Sequence, residues 1–279
     1  MQITITDDFD LAKIAASGQC FRVKELENGY FRFITGENVL YIKKIKDCIY
    51  EINCSFESWE KIWFSYFHLE RNYEEVRNRI GARDKYLQAA SREGLGIRIL
   101  KQDPWEMIVT FIISQQKTIP SIKSCVEALC LHYGTKLITE YEEIYTFPTA
   151  FQLSAATEEE LREYKLGYRA PYLVDAAAKV SSGKINLSDL YLRSDKKLFE
   201  TLKEISGVGD KVSNCICLFA YGRTRLAPID TWIKKVIDQE YKGKNPFPRY
   251  KDTAGIMQQY IFYYALTHKK ELNERNTHL

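Results

Sequence analysis

The spacing of apolar residues changes once along this chain, near residue 55, and that change constrains the fold more than any other feature. Before it, Gln2–Thr6 alternates polar and apolar residues. Tyr30–Thr35, Val39–Ile45 and Cys48–Ile52 are rich in aromatic and β-branched side chains, with Glu27-Asn28-Gly29 and Gly36-Glu37-Asn38 as turns between them. This pattern predicts an antiparallel sheet, with one short helix at Asp10–Ser17 stopped by Gly18. After the change, Trp59, Ile62, Trp63, Tyr66 and Phe67 recur at spacings of three and four. No strand pattern is visible beyond residue 60. Asp103-Pro104 reads as an N-cap followed by proline in the first helical turn, opening an apolar helix over Trp105–Ser114. Thr157 and Glu160 have the spacing of a capping box. The expected class is α+β. A β-rich unit with flanking helices is expected over residues 1–98 and a mostly helical one over 99–279.

At 279 residues and 45% apolar composition the chain can bury a sizeable core. Its net charge of +3 says little, but residues 201–250 carry nine Lys and Arg against five Asp and Glu. A local basic stretch suffices for contact with nucleic acid. The seven cysteines are scattered without a C-x-x-C pair, and the four histidines (His68, His132, His268 and His278) show no ligand spacing. Neither a zinc site nor a disulfide framework is indicated, and reduced thiols suit an intracellular protein. MQITITDDFD lacks the form of a signal peptide, and no apolar run approaches membrane length.

The chemistry concentrates in Leu202–Asn214, which reads LKEISGVGDKVSN. One helix ends near Ile205, Gly207 and Gly209 permit a tight turn, and a second helix begins near Asp210. Amides at such a helix start favour an anion, so a phosphate could rest on Gly207–Gly209 without any sequence being read. Lys211 stands just inside the second helix. A free lysine is neutral in only about one molecule in a thousand near pH 7.4, and a nucleophilic amine must be neutral. Asp230 follows 19 residues later in Pro228-Ile229-Asp230, a natural N-cap whose fixed carboxylate could stabilise positive charge developing on a sugar. Taken singly, each feature also fits an ordinary helical hairpin and an ordinary cap.

Taken together, the hairpin, Lys211, Gly222, Pro228 and Asp230 resemble the helix-hairpin-helix–Gly/Pro/Asp superfamily of DNA glycosylases. The lysine resembles that of its bifunctional glycosylase/lyase members. Further matches resemble the 8-oxoguanine DNA glycosylases: Ser17-Gly18-Gln19-Cys20-Phe21-Arg22, Asp103-Pro104 with Phe111-Ile112-Ile113-Ser114, Leu166-Gly167-Tyr168-Arg169-Ala170, the stretch from Gly207 to Leu218, and Ala254-Gly255 with Gln258 and Phe262. The resemblance implies a glycosylase and AP lyase that excises 8-oxoguanine from duplex DNA through a lysine Schiff base. Lys211 and Asp230 would be catalytic. The Gly18 carbonyl would accept from N7–H of the base, Gln258 would bond its Watson–Crick edge, and Phe262 and Cys215 would close on its faces. Gln116 would fill the space the base leaves, Tyr168 would wedge beside it, and Arg169 would meet the orphaned partner base. Gly207, Val208 and Gly209 would contact the backbone, and the Lys203, Ile205 and Val208 carbonyls match positions that hold a cation in relatives. No cofactor is expected, since the chain has no cysteine after Cys217 for an iron–sulfur cluster. The partner is duplex DNA rather than a membrane, and a monomer in the cell interior is expected, in the cytoplasm if the source is a bacterium.

Two positions depart from the resemblance. Where relatives carry asparagines and then an arginine, this chain has Gln115-Gln116-Lys117-Thr118 and then Ser121. Trp232 replaces a histidine expected to touch phosphate. A glycosylase for another damaged base and a non-catalytic hairpin module that binds DNA are the alternative readings. The second would need neither Lys211 nor Asp230.

Overall fold

The computed structural model describes residues 1–274, so His278 and the end of the expected helical unit lie outside the described residues. The first unit is a five-stranded antiparallel sheet: β1 (Gln2–Thr4), β2 (Lys24–Glu25), β3 (Phe31–Thr35), β4 (Asn38–Lys46) and β5 (Ile49–Ile52), in the order β1-β5-β4-β3-β2. The β3–β4 pairing sets Phe31 opposite Ile42 and Phe33 opposite Leu40. Their side chains meet the helical stretch that follows: Phe33 lies edge-on to Tyr66 and Phe67, at ring-centroid separations of 6.1 and 4.9 Å. That stretch runs from Phe56 to Tyr66 with a π-helical turn at Trp59–Trp63, and Trp59, Trp63, Tyr66 and Phe67 are all buried. The short helix expected at Asp10–Ser17 is α1 (Leu11–Ala16), capped by the Asp10 side chain.

Sequence spacing misses one feature of the later chain. β6 (Lys136–Ile138) and β7 (Glu143–Tyr145) form a hairpin well past residue 60. Each strand has three residues, too few for alternation to register. The turn is held by Thr139, whose hydroxyl accepts from the Tyr141 and Glu142 amides at 3.3 and 3.1 Å.

The rest is helical. α2 (Tyr73–Asn78) and α3 (Lys85–Glu93) lead into α4 (Pro104–Ser114), which is buried on every side from Trp105 to Ile113. A helix apolar all round belongs at a core centre. Against it pack α5 (Ile119–Tyr133), α6 (Ala170–Ser181) and, after α7 (Asp195–Leu202), α8 (Asp210–Phe219); α7 packs on α8, α9 (Thr231–Glu240) on α10 (Ala254–Thr267), and α10 on α3. The capping box of Thr157 and Glu160 has both of its bonds. Two apolar clusters result. The smaller combines the sheet with the 56–67 helical stretch, and the larger takes in Phe21, Tyr73 and the helices from α3 onward.

The two clusters are joined by polar side chains without exposure. The Arg98 guanidinium donates to the carbonyls of Phe67, Asp8, His68 and Arg71 and to the Asp7 carboxylate. Gln19 donates to the Ser17 hydroxyl and the Arg98 carbonyl, both at 2.8 Å, and accepts from the Leu100 amide at 2.7 Å. Gln259 of α10 donates to the Ser17 carbonyl at 2.6 Å. Buried charge is tolerated only when fully bonded, and these bonds hold the 17–20 loop in one place against the helical core.

Candidate active site

The hairpin comes first. α7 ends at Leu202, and after the turn α8 starts at Asp210 with Gly209 as its N-cap and no side-chain cap. A β-carbon on Gly209 would meet nothing within 4 Å, so the start of α8 faces open space. Gly207 sits at φ +80°, and a β-carbon there would fall 2.3 Å from the Tyr172 ring. Only glycine fits both the left-handed backbone and the close approach. The Val208 amide donates to the Ile205 carbonyl at 3.0 Å, whereas the Gly207 and Gly209 amides have no recorded partner among the described residues. The outward-facing donors at this turn are thus the two glycines and the first turn of α8. Lys203 pairs with Asp210 at 2.9 Å across the hairpin.

Lys211 projects from the first turn of α8 with its Nζ 5.6 Å from the centre of the Phe111 ring. Phe111 is itself fixed, stacked on Phe219 at 5.6 Å and met edge-on by Phe21 at 6.3 Å. One turn along α8, Cys215 lies beside the lysine. Burial pushes its thiol up to about 11, although the Lys211 charge pulls the other way. Asp230 caps α9, its Oδ1 accepting from the Ile233 amide at 2.8 Å. Burial raises its carboxyl above the usual aspartate value, against the Ile233 amide and the Lys211 charge. Lys211 therefore acts electrostatically on both Cys215 and Asp230. The three groups share one site, walled on one side by an aromatic ring.

The second group forms where the 17–20 loop meets α10. Gly18 has φ +75°, and a β-carbon on it would lie 2.8 Å from Phe262 Cε1 and 3.7 Å from Ile119 Cδ1. Gln258 precedes Phe262 by one helical turn and so shares its stripe. It is 4% exposed, and its Oε1 has no hydrogen-bond partner. Gln259, its neighbour, is committed to Ser17. The two glutamines are interchangeable by sequence; Gln259 is anchored through its amide nitrogen, while the buried Gln258 oxygen is unpaired.

Residues 2–108 match the family described as 8-oxoguanine DNA glycosylase, N-terminal domain, and residues 109–261 match the HhH-GPD superfamily base excision DNA repair protein. The chain is 35% identical to MBOgg1, solved in complex with a low-affinity DNA ligand, with TM-score 0.90 over 96% of both chains. It is 34% identical to the Clostridium acetobutylicum 8-oxoguanine glycosylase/lyase, solved with double-stranded DNA containing cytosine opposite 8-oxoG. That match has TM-score 0.87 and covers 96% of this chain and 98% of the other. The chain belongs to the 8-oxoguanine glycosylase branch of the HhH-GPD superfamily. Among curated proteins it is 36% identical over 160 residues to the Saccharomyces cerevisiae N-glycosylase/DNA lyase, across 53% of this chain. The match spans 42% of the yeast protein's own length.

For a member of this branch, the remaining expected residues form a third group. Gln116 is exposed, with a left-handed φ of +53°, and Tyr168 is 44% exposed. Arg169 is turned inward. It donates to the Gln115 and Leu166 carbonyls, its guanidinium lies 4.2 Å from the centre of the Tyr168 ring, and it is 6% exposed. Trp232 packs on the larger core with the Lys235 and Lys269 amines about its ring, at 6.0 and 5.9 Å. Ser121 meets the Lys117 amine at 3.4 Å. Among the described residues no group of three or more His, Cys, Asp or Glu could hold a metal ion.

Sequence reasoning gave no role to four contributors. Phe111 entered as part of an apolar run, with nothing to mark it as the wall beside Lys211. Gln19 and Arg98 were given no role, because their bonds run mostly to backbone atoms up to 90 residues away. Gln115 was noted only as a departure from the resemblance, beside Gln116.

Proposed function

We propose that this protein is a bifunctional DNA glycosylase and AP lyase that removes 8-oxoguanine from duplex DNA in base excision repair. The observation that carries the reading is the grouping of Lys211, Cys215 and Asp230 against the Phe111 ring. An amine held in a partly dry site beside a fixed carboxylate is the arrangement a glycosyl-transfer step needs.

Duplex DNA is gripped by its backbone at Gly207, Gly209 and the start of α8 and read at one extruded base. Extrusion is required because C1′ is inaccessible inside the stack. Gln116 and Tyr168, both exposed, enter the space the base vacates, and Arg169 holds their support in place. The base lies between Phe262 and Cys215. The Gly18 carbonyl accepts from its N7–H, a proton normal guanine lacks, so guanine would leave a buried acceptor unpaired. The free Oε1 of Gln258 supports its part at the Watson–Crick edge. Neutral Lys211 Nζ attacks C1′ and forms the C–N bond. The N-glycosidic bond breaks, and its electron pair leaves with the base, which takes up a proton. Asp230 stabilises the positive sugar. Ring opening gives the C1′ iminium, loss of a C2′ proton follows, and the 3′ phosphate departs, nicking the strand.

Main-chain carbonyls at Lys203, Ile205 and Val208 suit a hard cation, and Ile205 retains one lone pair beyond its bond to Val208. Such an ion would tie the hairpin to a phosphate, and no chemical step depends on it. The protein acts as a monomer, one footprint per flipped base. Among the described residues no helix is long and apolar enough to cross a membrane. Its substrate places it inside the cell, in the cytoplasm if the source is a bacterium.

The test is borohydride trapping on a duplex carrying a single 8-oxoguanine. A covalent adduct is expected with the native chain and none with Lys211→Gln. Undiminished trapping by the variant would remove Lys211 from the mechanism.

A further inference from the structure

The three loops expected to face DNA are joined to one another inside the protein, and one residue, Gln115, bonds to both of the others. Gln115 terminates α4 and has no assigned role. Its Nε2 donates to the Gly207 carbonyl at 3.0 Å, reaching the glycine turn of the hairpin. Its own carbonyl accepts from the Arg169 guanidinium, which supports Tyr168 from beneath. Two residues on, Lys117 Nζ donates to the Lys165 carbonyl at 2.9 Å, tying the same turn to the start of the Tyr168 loop. The triangle closes on its third side, where Tyr172, edge-on to Tyr168 at 6.2 Å, packs against Gly207.

We infer that Gln115 is a positioning residue for base extrusion, setting the wedge of Gln116 and Tyr168 in register with the phosphate grip of the hairpin. The inference rests on the duplex-binding reading above. The physical argument concerns alignment. Extrusion needs the phosphate held and the wedge inserted at the same time, at a fixed separation. Gln116 stands at φ +53° and Lys165 at φ +62°, conformations that L-residues keep only where surrounding bonds hold them. Among the described residues the Gln115–Gly207 bond is the only side-chain hydrogen bond from the 115–118 turn to the hairpin. Removing it leaves Lys211, Cys215, Asp230 and the base pocket untouched. An abasic site has no base to extrude, so nicking there depends on the hairpin and Lys211 and little on the wedge.

The test compares two variants on two substrates. Gln115→Met keeps the reach and loses the donor. Gln115→Lys restores a donor toward Gly207. Single-turnover release of 8-oxoguanine from a duplex is expected to slow about tenfold in Gln115→Met, the scale of one intramolecular hydrogen bond. Nicking of a preformed abasic site is expected to stay within about twofold, and Gln115→Lys is expected to recover most of the excision rate. A 2-aminopurine beside the lesion should report slower extrusion in stopped flow for Gln115→Met. Equal losses on both substrates, or full excision by Gln115→Met, would overturn the inference. If the native chain releases no 8-oxoguanine at all, it is the proposed function that fails. Thermal melting of both variants identifies a folding defect, and recovery in Gln115→Lys then still decides the point.

Discussion

Replacing Gly18 by alanine should separate the two activities and weaken the fold, by amounts that follow from its surroundings. Gly18 lies at φ +75°, where a β-carbon costs roughly 1–2 kcal/mol. The added methyl would also stand 2.8 Å from Phe262 Cε1, so the ring must give way. Overpacking of this kind costs roughly 1–3 kcal/mol. The total is about 2–5 kcal/mol, which for a chain of this size lowers Tm by roughly 5–15 °C. Phe262 yields into the space beside Gln258, because Ile119 and the well-anchored 17–20 loop bound the other side. The base pocket narrows while Lys211 and Asp230 keep their places. The assay is single-turnover excision of 8-oxoguanine beside nicking of a preformed abasic site, at a temperature where melting shows the variant folded. Excision should fall by two orders of magnitude or more, and nicking by less than threefold. Retained excision, or parallel loss of both activities, would refute the placement of Gly18 and Phe262 at the base.

Three further outcomes follow from the site. Asp230→Asn should leave the melting curve nearly unchanged, because asparagine caps a helix as well as aspartate. Excision should fall about 10²–10³-fold from loss of charge stabilisation. Burial raises the Asp230 carboxyl, so the native rate should fall, as pH drops, at a higher pH than an ordinary aspartate would set. A pH–rate profile unchanged in the asparagine variant would remove Asp230 from the chemistry. Glu106, 5% exposed, is raised from 4.5 to about 7, chiefly by burial. The folded chain therefore holds its proton more tightly than the unfolded chain, and this group's contribution to stability declines as pH rises from 4.5 to about 7, by up to about 3 kcal/mol. Urea melts should show Glu106→Gln gaining stability over the native chain at pH 8 and much less at pH 5, and a pH-independent difference would contradict this. Ser121 supplies no bidentate donor, and Arg169 is spent on Gln115 and Leu166. Excision rates on duplexes with each of the four opposite bases should differ only weakly, and a strict cytosine preference would count against both observations.

Much of the hairpin was legible locally. Gly207, Gly209 and Lys211 sit within five residues of one another, and the caps at Asp103, Thr157 and Asp230 are written in short-range spacing. β3, β4 and β5 were legible for the same reason, and the three-residue β1 was legible because the alternation of Gln2–Thr6 runs past its end. The two-residue β2 and the three-residue β6 and β7 have no such longer alternating run around them. The approach of Gly18 to Phe262 was legible only through resemblance, because the two are 244 residues apart in the chain and nothing in their composition joins them.

Lys211 on the first turn of α8, Asp230 on the cap of α9 and the order of sheet and helices were settled by the sequence alone, through backbone preferences that act over a few residues. Tertiary structure decided what those residues face. It set Phe111 beside the amine, tied the Gln259 amide to Ser17 while leaving the buried Gln258 oxygen unpaired, turned Arg169 inward and joined Gln115 to Gly207. Those choices depend on which surfaces pack together once the whole chain has collapsed, and on which buried polar atoms find partners there. No window of sequence contains both sides of such a contact.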